Sequence, residues 1–146
     1  MATAALRLDA FDGTPDPRDS PPSGRSLYLA PGQLLVCSDS AIISTIVGSC
    51  VSVCLTDPLA QVGGMNHFLL PLRVGGERSP RFGSIAIPTL IQRLLDVGAR
   101  RERLEAKVFG GASLVGTRAQ AGDPLGSKNA RLAFDLLAEA RIPVIA

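Results

Sequence analysis

Hydrophobic and polar positions alternate along the first half of the chain in the manner of β-strands. Residues 33–37 form a short candidate strand, and residues 49–56 a longer one, with valines at alternate positions and Asp57-Pro58 at its end. Residues 61–70 follow, loosened at the start by Gly63-Gly64 and ended by Pro71. We predict that the last two segments pair as a β-hairpin.

Apolar positions in the second half recur at helical spacing. Residues 85–97 predict one helix, with Gly98 where a C-cap is expected, and residues 128–140 predict another, with inward-facing Leu132, Leu136 and Leu137. A strand is expected over residues 104–109, and residues 142–146 begin a further one. The order β-β-β-α-β-α-β predicts a layered α/β or α+β domain in which helices cover a sheet.

The first 25 residues differ from the rest because they are polar and rich in proline and aspartate. Such a segment buries too little apolar surface to offset the entropy cost of ordering. We therefore predict a mobile arm over residues 1–25 and a folded domain over residues 26–146.

Composition then narrows the function classes. Hydrophobic residues make up 46% of the chain, charged residues 19% and aromatic residues 4%, and the net charge is +2 without a Lys/Arg run, which disfavours nucleic-acid binding. Polar residues interrupt the longest apolar stretch, 41–55, which is shorter than the ~20 residues of a membrane-spanning helix. The chain has three cysteines and no evident signal peptide. We therefore expect a cytoplasmic protein with free thiols and no membrane insertion.

One cysteine and the single histidine could form a nucleophile and its base. Cys50 directly follows Gly48-Ser49, where backbone N–H groups can stabilise a thiolate and later an oxyanion. His67, seventeen residues later, would take the thiol proton if it lay within hydrogen-bond reach. The spacing permits this pair without establishing it, because a buried cysteine and a hydrogen-bonded structural histidine are the commoner roles.

Two other kinds of site deserve comparison. Cys37, Cys50, Cys54 and His67 offer zinc-type ligands, but an extended 50–54 segment separates its end cysteines by about 13 Å, so we predict no metal site. Gly110-Gly111 after a strand indicates a tight turn lining a pocket, because it lacks the pattern of a nucleotide-binding loop. Asn66 could orient the neighbouring histidine or contact a substrate amide.

Several motifs together resemble the chemoreceptor glutamine deamidases of bacterial chemotaxis, the CheD family. They span about residues 28–146 and are listed in chain order: G-S-C-V-S-V-C-L-T-D-P at 48–58, G-G-M-N-H-F-L-L-P at 63–71, R-F-G at 81–83, G-A at 98–99, L-E-A-K-V-F-G-G-A at 104–112 and G-S-K-N at 126–129.

The resemblance implies a layered α/β sandwich with a mixed sheet, related to deamidating toxins, and papain-like cysteine hydrolase chemistry. It implies that Cys50 is the nucleophile, that His67 is the general base, and that Thr45 completes the triad, with Ser44 as the alternative. We expect Ser49, Asn66, Gly110 and Gly111 to line the substrate pocket or oxyanion site. No metal or organic cofactor is required.

The family also implies a substrate and partners. Its members convert glutamines on the cytoplasmic helices of methyl-accepting receptors to glutamates, can hydrolyse receptor glutamate methyl esters, and are in many cases regulated by a CheC-type phosphatase. Because family members continue beyond residues 142–146, we expect the C-terminal part of the family fold to be absent here. A non-catalytic regulatory module that binds the phosphatase or receptor helix is therefore the alternative, and a small esterase is a third hypothesis.

Overall fold

A computed structural model of the chain describes residues 2–7, 25–112 and 122–146. Within these residues the strands are β1 (Ala2–Arg7), β2 (Arg25–Tyr28), β3 (Leu34–Cys37), β4 (Ala41–Val47), β5 (Val51–Asp57), β6 (Val62–Asn66) and β7 (Glu105–Gly110). The α-helices are α1 (Gly83–Asp96) and α2 (Leu125–Glu139), and a short 3-10 helix covers Arg101–Arg103.

The described strands form two sheets. In one sheet β4 lies between β1 and β2, antiparallel to β1 and parallel to β2. The other has the order β3-β6-β5-β7, with antiparallel neighbours throughout. The predicted mixed, layered α/β sandwich is thus confirmed, and so is the hairpin, which β5 and β6 form.

Two apolar cores lie on opposite faces of the four-stranded sheet. The larger core joins alternate residues of β5, among them Val51, Val53 and Leu55, to the apolar faces of α1 and α2. The smaller core lies between the sheets and consists of Leu29, Ile43, Cys54 and Met65. Because side chains alternate along a strand, β5 presents its even-numbered residues to the other sheet.

Both predicted helices are present. α1 starts two residues earlier than predicted and ends before Gly98, whose φ of +104° suits a glycine that follows a helix C-terminus. α2 also starts earlier, at Leu125, with Leu137 buried and Leu132 and Leu136 half-buried. No helix among the described residues is long and apolar enough to span a membrane.

A buried carboxylate fixes the turn of the hairpin. Both Asp57 oxygens accept hydrogen bonds, one from the N–H groups of Leu59 and Ala60 and the other from Arg100 N–H and the Arg103 guanidinium, 2.9 Å away. Burial would raise the pKa of this carboxyl, but these donors outweigh it and hold the pKa below its usual value.

The two ends of the chain compare differently with the sequence expectation. Where a mobile arm was expected, residues 2–7 form β1, hydrogen-bonded in register to β4, and Arg25 already belongs to β2. Residues 8–24, the rest of the predicted arm, lie outside the described part of the chain. At the other end, Val144 forms a parallel bridge with Ala106 of β7, as the predicted start of a strand requires.

Candidate active site

His67 follows β6 and is held at the boundary between the two sheets. Its backbone N–H donates to the Gln33 carbonyl at 3.0 Å, and its own carbonyl accepts from Gly32 N–H at 2.7 Å. The side chain is 1% exposed. A buried imidazole whose backbone is fixed on both sides has little freedom to move, so its hydrogen-bond partners determine its chemistry.

Thr45 of β4 lies beside this imidazole. Its hydroxyl oxygen Oγ1 is 2.8 Å from Nδ1 of His67 and 2.7 Å from the Leu29 carbonyl oxygen. A hydroxyl has one proton, and a carbonyl can only accept, so Thr45 donates to Leu29. It must then accept from His67, which assigns the proton of the neutral imidazole to Nδ1 and leaves the lone pair on Nε2.

Ser44, the alternative third residue, lies on the other face of β4. Thr45 is fully buried together with Ala41, Ile43 and Val47, at every second position of the strand, whereas Ser44 falls between them and is half-buried. Alternation along the strand therefore directs Thr45 and not Ser44 towards His67.

The second nitrogen of His67 is not engaged by the part of the protein that the structure describes. Nε2 is buried, and no hydrogen-bond partner for it exists among the described residues. Burial lowers the pKa of His67, because a charged imidazolium is poorly solvated there. At neutral pH the side chain is therefore a neutral base with an unengaged lone pair.

Cys50 stands immediately before β5, on the same sheet as His67. The β5–β6 register pairs Cys54 with Met65, and the bridge between Val51 and Phe68 continues it. In this register Cys50 lies diagonally across from His67, and both residues are on the face directed at the other sheet. Diagonal neighbours of this kind have their Cα atoms about 7–8 Å apart. No hydrogen bond joins the two side chains in the described structure, and in ligand-free sites such bonds are often long.

The thiol of Cys50 is protonated at neutral pH. Burial raises its pKa, more than the hydrogen bond from its own backbone N–H lowers it. Burial also raises the pKa of Cys37, and that of Cys54, inside the smaller core, to about 12. Cys50 and His67 are thus both uncharged at neutral pH, whereas the Gly-Ser turn suggested a thiolate at Cys50.

The Gly110-Gly111 turn holds the backbone of Cys50. Gly111 N–H donates to the Cys50 carbonyl at 2.9 Å, and Ala112 N–H donates to the Gly48 carbonyl at 2.8 Å. Gly110 has φ of +99°, and a side chain there would collide with the Cys50 carbonyl. The two glycines therefore adjoin the candidate nucleophile, and the Gly111 N–H is already engaged in positioning it.

The two remaining predicted pocket residues are Asn66, which contacts the backbone of β5, and Ser49, which is part of the turn before β5. The Asn66 side-chain oxygen accepts from Val53 N–H at 2.9 Å, and its carbonyl accepts from the Ser52 hydroxyl at 2.6 Å. Asn66 Nδ2 is buried and has no hydrogen-bond partner in the described part of the chain. The Ser49 carbonyl accepts from Asn129 of α2 at 3.0 Å.

Asn129 contacts the backbone beside the candidate site, and the sequence analysis assigned no role to it. It is fully buried on α2, and its Nδ2 reaches the Leu69 carbonyl as well, at 2.9 Å. An asparagine among the inward positions of an otherwise apolar helix face was the available signal.

The described residues contain no group of three or more His, Cys, Asp or Glu side chains that could hold a metal ion. Cys50 lies just before β5 and Cys54 within it, so the segment that joins them is extended, as predicted from the sequence.

Comparison with known proteins gives one consistent family. The family model described as CheD chemotactic sensory transduction matches residues 69–146. "Probable chemoreceptor glutamine deamidase CheD 1" of Anaeromyxobacter dehalogenans is 55% identical over 119 residues, which are 82% of this chain and 69% of that protein. A relative of the same name without the numeral, from Trichlorobacter lovleyi, is 48% identical over 84% of this chain and 76% of its own length.

A third relative, from Stenotrophomonas maltophilia, is 45% identical over 81% of this chain but only 59% of its own length. The matches to these relatives cover 81–84% of this chain and include Cys50 and His67, whereas the family-model match begins after both, at residue 69. The chain belongs to the CheD family.

Proposed function

We propose that this protein hydrolyses glutamine side-chain amides on chemoreceptors, leaving glutamate and releasing ammonia. Relatives named chemoreceptor glutamine deamidases support the substrate class. The observation that carries the chemistry is the hydrogen bond between Thr45 and His67 Nδ1, since it leaves the basic Nε2 free on a residue diagonally across the sheet from Cys50.

The first half of the reaction forms a thioester. His67 Nε2 removes the thiol proton of Cys50 as Sγ attacks the amide carbon of the substrate glutamine. The carbonyl oxygen becomes an oxyanion, and we assign the backbone N–H of Cys50 as a donor to this oxyanion. The imidazolium then protonates the departing nitrogen, and ammonia leaves.

The second half hydrolyses the thioester. Nε2 is again unprotonated, takes a proton from a water molecule and directs the hydroxide at the thioester carbon. Collapse of the second oxyanion expels the sulfur, which recovers the proton from His67. Throughout both halves Thr45 keeps the other imidazole proton on Nδ1, so the same nitrogen serves as acceptor and donor.

The same chemistry accommodates a glutamate methyl ester, with methanol as the leaving group instead of ammonia. We include this ester hydrolysis in the proposal as a second reaction of the site. The proposed partners are the cytoplasmic helices of methyl-accepting receptors and, as a regulator, a CheC-type phosphatase. We propose that the protein acts in the cytoplasm and needs no metal or organic cofactor.

Incubation of the protein with a purified receptor cytoplasmic fragment tests the proposal. We expect ammonia release and a gain of about 1 Da per converted glutamine in receptor peptides, and we expect Cys50→Ala to abolish both. Cys37→Ala is the matched control, since it removes a thiol outside the site and should retain activity. A folded wild-type protein that binds the fragment without releasing ammonia would favour the non-catalytic module, and methanol release alone would favour the esterase.

A further inference from the structure

Asn129 forms the only side-chain link between α2 and the turn before β5 among the hydrogen bonds of the described residues. Its Nδ2 group uses both of its protons, one on the Ser49 carbonyl at 3.0 Å and one on the Leu69 carbonyl at 2.9 Å. The side chain is fully buried, and its Oδ1 has no hydrogen-bond partner there. Leaving the buried Oδ1 unpaired costs stability, which indicates that the amide is present at this position for its two N–H donors.

The bond to Ser49 determines the direction of one particular N–H group. The Ser49 carbonyl and the Cys50 N–H belong to the same peptide unit, which is planar and trans. The two groups therefore point in opposite directions, and fixing the carbonyl fixes the N–H. That N–H belongs to the proposed nucleophile itself, and the oxyanion forms on the oxygen of the substrate carbon that becomes bonded to Cys50 Sγ.

The bond to Leu69 ties the same amide to the neighbouring segment. In the register set by Val51 and Phe68, Leu69 lies opposite Cys50. One side chain thus holds the peptide before the nucleophile and the backbone across from it at a constant separation. α2 is itself fixed at this end, because Gly126 packs against the carbonyls of Gly111 and Ala112.

We propose that Asn129 is a positioning residue that orients the 49–50 peptide so that the Cys50 N–H serves as an oxyanion donor. The inference rests on the proposed amidase function. A carboxylate, a hydroxyl or an aliphatic side chain at this position could not donate two hydrogen bonds from one atom. Hydrogen bonding to the carbonyl also polarises the peptide and strengthens its N–H as a donor.

Two readouts separate oxyanion stabilisation from general damage to the site. Both ammonia release from a receptor fragment and alkylation of Cys50 by iodoacetamide need the thiolate that His67 helps to form. Only ammonia release passes through an oxyanion. We expect Asn129→Ala to lower kcat about 100-fold, the scale of losing one oxyanion donor, with KM changed less than about threefold. The alkylation rate of Cys50, followed by mass spectrometry, should stay within about twofold of wild type.

Leu137→Ala is the matched control, because Leu137 is equally buried on α2 but belongs to the larger core. It should lower the melting temperature and keep kcat. Asn129→Asp, which retains the shape of the side chain without its donors, serves if Asn129→Ala does not fold, with the same expected loss. His67→Ala should slow both ammonia release and alkylation.

Near-wild-type kcat in a folded Asn129 variant would overturn the proposal while leaving the amidase function intact. A parallel loss of kcat and alkylation would also overturn it, since the residue would then support the nucleophile as a whole. If wild-type protein releases no ammonia, the amidase function itself fails, and the positioning role fails with it.

Discussion

Replacement of Thr45 by valine tests the hydrogen-bond chain from Leu29 through Thr45 to His67. Valine has nearly the shape of threonine but no hydroxyl. The substitution leaves two groups buried and unpaired, the Leu29 carbonyl and the Nδ1–H of His67. Each such group costs about 1–3 kcal/mol, so we expect the free energy of unfolding to fall by about 2–6 kcal/mol.

The effect on catalysis follows from the tautomer. Without Thr45 the imidazole no longer prefers its proton on Nδ1, and the preference lost is about 1–3 kcal/mol, the cost of leaving a buried donor unpaired. Since 1.36 kcal/mol corresponds to a tenfold change in rate, kcat should fall about 5- to 150-fold. KM should change little, because neither residue is proposed to bind the substrate.

The assay is ammonia release from a receptor fragment, at a temperature where urea titration shows each variant to be folded. Thr45→Ser keeps the hydroxyl and should retain most of the activity. Ser44→Ala, on the other face of β4, should retain all of it. Unchanged kcat in folded Thr45→Val, or a large loss in Ser44→Ala, would refute the assignment of Thr45 as the residue that sets the tautomer.

Three further predictions concern pH, the turn and the hairpin. Because burial lowers the pKa of His67, kcat/KM should stay on its plateau to below the ordinary value of about 6.5 and then fall with acid. The unfolded chain takes up this proton at higher pH than the folded chain does, so the free energy of unfolding, measured by urea titration, should also decrease below about pH 6.5. A fall of either quantity that already begins above about pH 7 would contradict the expectation. Gly110→Ala, at positive φ and against the Cys50 carbonyl, should lower both melting temperature and kcat, whereas Gly76→Ala, with open space around it, should change neither. Arg103→Leu should cost about 2–4 kcal/mol in urea titration, because the buried carboxylate of the β5–β6 turn loses its counter-charge, whereas Arg131→Leu, which breaks an exposed pair, should cost about 0–1 kcal/mol.

The sequence was sufficient where local pattern and tertiary structure agree. Alternation and turn residues predicted β5, β6 and their pairing, and helical spacing predicted α1 and α2. β4 was not predicted, although five of its seven residues are β-branched, because its two polar residues, Ser44 and Thr45, are adjacent and break the alternation typical of a half-buried strand. β1 and β2 carry weak local signals and depend on pairing with β4.

The residues of the candidate site were accessible to motif reasoning, but their chemical states were not. The Gly-Ser-Cys turn suggested a thiolate at Cys50, whereas burial raises the pKa of that thiol. The tautomer of His67 depends on which group accepts the hydroxyl proton of Thr45, and that contact exists only in the folded structure. No spacing in the sequence could therefore assign the tautomer. The contact of Asn129 with the turn before Cys50 joins residues 80 positions apart, and only the docking of α2 brings them together.

The two sheets contribute different parts of the candidate machinery, which makes their packing a determinant of catalysis. Thr45 comes from the sheet of β4, whereas His67 and Cys50 belong to the sheet of β5 and β6. The smaller core, in which Leu29 and Ile43 meet Cys54 and Met65, lies between these sheets, and Leu29 also accepts the hydrogen bond of Thr45. A shift of one sheet against the other would therefore lengthen the bond from Thr45 to His67 and free the imidazole proton. For this reason, residues of the smaller core should influence kcat as well as stability, whereas residues under the helices should influence mainly stability.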